Sequence, residues 1–184
     1  MSRVVDLSPD PKSHIKTLMR IGYTMSSAVA DILDNCLTAE SNRIEIYSPP
    51  GLEEPLISIL DDGYGMDADE LIENMRIGCK DPSDEREKGD LGRFGSGMKT
   101  ASFSQARRLT VISKKSDGPV VAAIWDIDKI EETNSWYLEI LNEHEISLIP
   151  AIKIEAASKQ GTQIIWENLT CLQEGSHARD KDTE

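Results

Sequence analysis

A chain of 184 residues with 39% hydrophobic content is long enough for one domain with a substantial core, and no apolar run approaches membrane-spanning length, so a soluble chain is expected. Lys and Arg number 20 against 33 Asp and Glu, and the net charge of −13 argues against nucleic-acid binding over the whole surface. A polyphosphate ligand would need local positive charge or a divalent cation. The opening residues Met1 to Asp6 lack the basic-then-apolar pattern of a signal peptide, and the three cysteines (Cys36, Cys79 and Cys171) are widely spaced. They read as reduced thiols of a cytoplasmic protein rather than as a disulfide framework or a zinc site.

In chain order, residues 1–12 are polar and contain proline, which predicts an extended arm. Residues 14–20 suit a short helix, with His14 on its surface. Residues 24–37 predict a strong helix: Met25, Val29, Ile32, Leu33 and Cys36 recur at three- and four-residue intervals, and Thr24 or Ser26 can cap its start. Asp31, Asn35 and Thr38 share another face, with Asp34 beside them. Such a polar face is usually solvated. However, adjacent Asp34 and Asn35 are poor helix formers, which tilts the face toward function.

Residues 43–47 alternate as a strand, and residues 56–60 form a short apolar run suited to a central strand. That run ends in Asp61-Asp62-Gly63-Tyr64-Gly65-Met66, which either caps a turn or sets a carboxylate at a sheet edge beside a ligand. Asp67 is placed to cap a helix running to Arg76, with Leu71, Ile72 and Met75 inward. Residues 78–89 form a charged connection long enough for a lid or a disordered loop.

The stretch that follows, Leu91-Gly92-Arg93-Phe94-Gly95-Ser96-Gly97-Met98-Lys99-Thr100, is glycine-rich and leads into a predicted helix. Glycines allow N–H groups to face a ligand closely, and a helix start adds unpaired donors, so the stretch suits phosphates; a flexible surface loop is the plain alternative. It is not a P-loop, because one residue too many separates glycine from lysine and no buried strand precedes it. Strands are predicted over 109–113, 120–127, 136–140 and 161–166, with a hairpin turn at Ser116-Asp117-Gly118. Residues 174–184 are charged and nearly devoid of apolar side chains, as in a disordered tail or a linker.

Four stretches now stand in order: Asp31-xxx-Asn35, Asp61-x-Gly63-x-Gly65, Gly92-xx-Gly95-x-Gly97 and Gly161-Thr162. Over residues 13–170 the series resembles the GHKL ATPase superfamily of gyrase, heat-shock chaperones, histidine kinases and MutL. Within it, the motifs look most like MORC-type proteins and their bacterial relatives.

The resemblance implies an α+β fold: a two-layer α/β sandwich, the Bergerat ATP-binding fold, with a mixed, mostly antiparallel sheet and helices on one face. It implies ATP and Mg²⁺ as ligands. Asn35 would bind Mg²⁺ through its amide oxygen. Asp61 would accept from the adenine amino group, Gly65 would let the backbone approach the base, and Met66 and Met75 would wall the pocket. Gly92, Arg93, Phe94, Gly95, Ser96, Gly97 and Met98 would donate to the phosphates. Lys99 would lie near the phosphates, and Thr162 would orient Asp61 or a water.

Asp31 stands where hydrolysing members usually carry glutamate, the base that activates or orients water. One methylene fewer implies slow hydrolysis, since a misplacement on the order of 1 Å can cost about a hundredfold. Asp34 is a poorer candidate, one residue-step around the helix. The resemblance further implies closure of residues 78–97 as a lid, a homodimer on ATP binding and a downstream transducer domain. A non-hydrolysing ATP switch is the main alternative, and a histidine-kinase catalytic domain ranks lower. MORC-like relatives act around DNA, but the acidic balance leaves DNA an open partner here. No membrane contact is expected.

Overall fold

The computed structural model describes residues 9–78, 97–154 and 158–170. Within them the chain runs α1 (Pro11–Met19), α2 (Met25–Thr38), β1 (Ile44–Tyr47), β2 (Ile57–Asp61), α3 (Ala68–Met75), α4 (Gly97–Gln105), β3 (Ala106–Lys114), β4 (Val120–Asp126), α5 (Ile127–Thr133), β5 (Leu138–Ile140), α6 (Glu143–Ser147) and β6 (Gly161–Leu169). The tail expected over 174–184 and most of the expected arm lie outside the described residues.

Local chemistry sets the helix starts. The Asp10 carboxylate accepts from the Ser13 N–H at 2.9 Å, and Pro11 sits in the first turn, where its missing N–H leaves nothing unpaired. The first helix therefore begins at Pro11, inside the stretch expected to be an extended arm. Thr24 and Ser27 form a reciprocal capping box at α2, and Asp67 and Glu70 form another at α3. On α2 the fully or nearly buried side chains are Ala28, Ile32 and Cys36, with Met25 and Val29 packed at the margin. Burying Ile32 alone contributes about 1.5–3 kcal/mol. On α3, Leu71 and Met75 are buried, but Ile72 is 37% exposed rather than inward. Successive helix residues point about 100° apart, so with Leu71 and Met75 turned inward Ile72 falls at the margin of the buried face.

One six-stranded sheet has the order β1-β2-β6-β3-β4-β5. Every pairing among the described residues is antiparallel. β6, last in the chain, inserts between β2 and β3 and supplies the buried Ile164, Ile165 and Trp166. One face of the sheet packs its Ile59, Val111, Ala123 and Ile164 against buried residues of α1 to α5. The other face, through Ile112, Ala122 and Ile165, is covered by Ile146 of α6 and by Ile149 and Ile154. The α/β sandwich is thus as expected, with α1 to α5 on one face among the described residues; short α6 on the other face departs from the expectation of helices on one face alone.

Two indole N–H groups lock the helical layer onto the sheet. Trp166 Nε1 donates to Ser102 Oγ of α4 at 2.8 Å, and Trp125 Nε1 donates to the Met75 carbonyl of α3 at 3.0 Å. Both bonds are buried, so each fixes where a helix lies.

Candidate functional site

The sheet register brings chemistry to one end. Asp61 pairs with Thr162, and Thr162 pairs with Ser113, so three adjacent strands present these side chains in a row. Ser113 Oγ lies 2.8 Å from Thr162 Oγ1, accepts from the Met66 N–H at 2.8 Å and donates to the Gly161 carbonyl at 3.1 Å. Asp61 is buried, and its Oδ1 accepts from the Gly63 N–H at 2.8 Å. Burial pushes the Asp61 carboxyl up in pKa, against the opposing pull of Gly63, the Cys36 thiol and the Thr162 backbone. The neighbouring Cys36 thiol is pushed up to about 12, first by burial and then by the Asp61 charge. It is a neutral donor to the carboxylate.

Two glycines make this end possible. A Cβ on Gly161 would sit 2.2 Å from the Asp61 carbonyl, and one on Gly65 would sit 1.9 Å from the Lys114 carbonyl. Both residues also have positive φ. The room that Gly65 leaves is therefore taken by β3 backbone, a packing reason for the glycine distinct from the approach to a base.

α2 connects this sheet end to the start of α4. Its C-terminal half lies on the Asp61 turn: Cys36 meets Asp61, and the Ala39 carbonyl accepts from the Tyr64 N–H at 3.0 Å. Five residues earlier, Asp31 faces Gly97, the first residue of α4, where an added Cβ would lie 3.6 Å from Asp31 Oδ2. Asn35 is half-buried between these contacts. The two contacts are separated by about 7.5 Å along the helix axis. Asp34 is exposed, which sets it apart from Asp31.

The remaining expected residues fall into three groups. Met66 and Met98 are partly buried beside the main core, while Met75 is fully buried within it. Lys99 is 2% exposed and its Nζ donates to the Asn74 carbonyl at 2.5 Å, at the C-terminal end of α3, where a helix favours a cation. Gly92, Arg93, Phe94, Gly95 and Ser96 lie outside the described residues, as does most of the expected lid.

Asn35 suits magnesium. Its amide oxygen is a hard donor, and no group of three or more His, Cys, Asp or Glu gathers among the described residues. Mg²⁺ bound by few protein ligands plus water and phosphate needs no such cage. A cavity of about 220 Å³ opens elsewhere, on the α6 side, lined by Arg108, Glu139, Glu145 and Glu167 among others. Three carboxylates against one guanidinium make it a poor seat for a triphosphate.

Two residues absent from the sequence reading belong to this region. Ser113 enters through strand register, which one sequence does not display. Tyr23 donates its phenol to Asp31 Oδ2 at 2.7 Å from the loop before α2. Its pKa is raised to about 12, first by that hydrogen bond and then by burial and the Asp31 charge.

Comparison with known proteins bears on the same elements. A profile of the family described as histidine kinase-, DNA gyrase B-, and HSP90-like ATPase matches residues 23–162. ATPase MORC2B of Mus musculus is 29% identical over 93 residues, covering 49% of this chain and 9% of that protein. ATPase morc-1 of Caenorhabditis elegans is 29% identical over 98 residues, 53% of this chain and 11% of its own. ATPase MORC2 of Homo sapiens is 29% identical over 93 residues, again 49% and 9%. The chain thus matches only about a tenth of the length of these relatives. The family match spans most of the chain, from Tyr23 through Thr162, and takes in α2, the Asp61 turn and the start of β6. With its α/β sandwich, this chain belongs to the histidine kinase-, DNA gyrase B- and HSP90-like ATPases.

Proposed function

We propose that the chain binds ATP with Mg²⁺ and hydrolyses it slowly. The observation that carries this is the placement of α2, which touches the Asp61 turn through Cys36 and the start of α4 through Asp31, with Asn35 between. A nucleotide lying along α2 would set its base at Asp61 and its phosphates at Gly97 and Met98. Asp61 then accepts from the adenine amino group, which disfavours guanine because that base offers an acceptor there. Thr162 supports Asp61, and Gly65 and Met66 shape the turn beneath the base, with Met75 behind them. Asn35 supplies the amide oxygen for the cation. When bound, Mg²⁺ offsets phosphate charge in a region of an acidic chain. Asp31 holds the water that attacks the terminal phosphate and receives its proton.

Gly92, Arg93, Phe94, Gly95 and Ser96 enter this proposal from the sequence alone, as phosphate donors. Lys99 reaches the phosphates only if its ammonium leaves the Asn74 carbonyl. Closure of residues 78–97 over ATP, pairing of two copies and a coupled transducer domain are part of the same proposal. They are drawn from the resemblance to MORC-type ATPases.

Calorimetry with a non-hydrolysable ATP analogue and Mg²⁺, beside phosphate release with ATP, tests it. Asp31→Asn is expected to bind within about twofold of wild type and to lose about a hundredfold or more in turnover. Absence of analogue binding overturns the proposal. Binding without any turnover by the wild-type chain replaces it with the ATP-switch alternative.

A further inference from the structure

We propose that Tyr23 is a positioning residue for Asp31: its phenol holds one carboxylate oxygen so that the other is presented to the attacking water. The proposal rests on the ATPase reading above. Tyr23 Oη donates to Asp31 Oδ2 at 2.7 Å, an ordinary length for a strong O–H···O bond to a carboxylate. The same Oδ2 is the atom that faces Gly97. Oδ1 is then the oxygen left to accept from water.

Tyr23 is itself held from several sides. It is half-buried against the main core. Its carbonyl accepts from Gln105 Nε2 at 3.2 Å, and Gln105 is buried at the last residue of α4. The next residue, Thr24, is the N-cap of α2, so the backbone leaving Tyr23 is set by the capping box. The phenol therefore sits at a point defined by α2, α4 and the core together. Asp31 cannot swing about its two side-chain torsions without breaking this bond.

A tether matters more for aspartate than for glutamate. A shorter carboxylate must sit at one position to reach a water at the terminal phosphate, and a shift on the order of 1 Å costs about a hundredfold. The phenol does not compete for the proton. With its pKa raised to about 12, it is protonated throughout the neutral range and keeps its proton to donate to Asp31.

Tyr23→Phe removes the hydroxyl and keeps the ring against the core. The expected result is a kcat lowered about ten- to a hundredfold, with KM for ATP and the affinity for a non-hydrolysable analogue within about twofold. Tyr23→His, whose ring N–H can donate to the carboxylate, should recover part of the loss. In an Asp31→Asn background, Tyr23→Phe should cause no further loss, because the two side chains act as a unit. A purely structural tyrosine would lower the rate equally in both backgrounds and raise KM. Wild-type kcat in Tyr23→Phe overturns the proposal while leaving the ATPase reading intact, as does an equal loss in both backgrounds. If Asp31→Asn turns over as fast as wild type, the ATPase role of Asp31 falls and the proposal falls with it.

Discussion

At Asp61, binding and stability pull in opposite directions. Burial raises its pKa in the folded chain. For a carboxyl with a raised folded pKa, the stabilising contribution is complete below the unfolded pKa and is lost as pH rises through the folded value. Once that contribution is lost, the ionised side chain opposes folding. Asp61→Asn keeps an oxygen for the Gly63 N–H and removes the charge. Thermal unfolding at about pH 7 should show a raised Tm, each ~1 kcal/mol of stability corresponding to about 2–4 °C in a chain of this size. The gain should shrink as pH falls through the raised folded pKa, where wild type takes up its own proton. Adenine-nucleotide affinity should fall about tenfold or more, since an amide NH₂ set against the adenine amino group leaves two donors facing. A lower Tm at about pH 7, with the gap closing in acid, would mean that the ionised carboxylate stabilises the fold.

Among elements, α4 carries the most consequence for the site, because it brings Gly97 to Asp31 and Lys99 to the end of α3. Its seat on the sheet depends on Ser102, whose Oγ accepts from the buried Trp166 indole at 2.8 Å. Ser102→Ala leaves that N–H buried without a partner, at about 1–3 kcal/mol. For about 2 kcal/mol, Tm should drop by about 4–8 °C, measured by calorimetry or circular dichroism. Ser102→Thr, which keeps the oxygen, tests whether loss of the bond or crowding is responsible: a drop as large as that of Ala would point to packing.

The same elements show what one sequence makes legible. α2 was readable because its apolar residues repeat over 14 residues, and β2 because a continuous apolar run ends in an acid. The strand expected over 120–127 runs one residue into α5, and α5 itself, seven residues beginning where β4 ends, is too short for a period to emerge. α6 has five residues, though the Asn142-xx-Glu145 capping box marks its start in the sequence. Asp31, Asn35 and Asp61 stood out through motif order. Tyr23 and Ser113 did not, because one reaches Asp31 from a loop eight residues away and the other reaches Thr162 only through the pairing of β3 with β6. The glycine at 65 was legible as a requirement but not for its cause, the carbonyl of Lys114.

For the whole molecule, the net charge of −13 is the property that a nucleotide meets first. Mg-bound ATP is itself an anion, so the long-range term is repulsive. The Debye length is about 30 Å at 0.01 M salt and about 8 Å at 0.15 M. At low salt an approaching nucleotide therefore feels the charge of the entire chain, and at high salt it feels only groups near its path. Described cations in this region offer little relief: Lys99 is buried against the Asn74 carbonyl, and Lys115 is engaged by Asp67 and Glu70 at 3.1 and 2.5 Å. Stopped-flow association of a fluorescent ATP analogue with Mg²⁺ should accelerate about two- to tenfold from about 0.01 to 0.15 M monovalent salt, with dissociation changing less. This sign is opposite to that of attraction-steered binding. A rate that falls with salt would mean that local positive charge at the phosphate end, for which Arg93 is the candidate from the sequence, outweighs the charge of the chain as a whole.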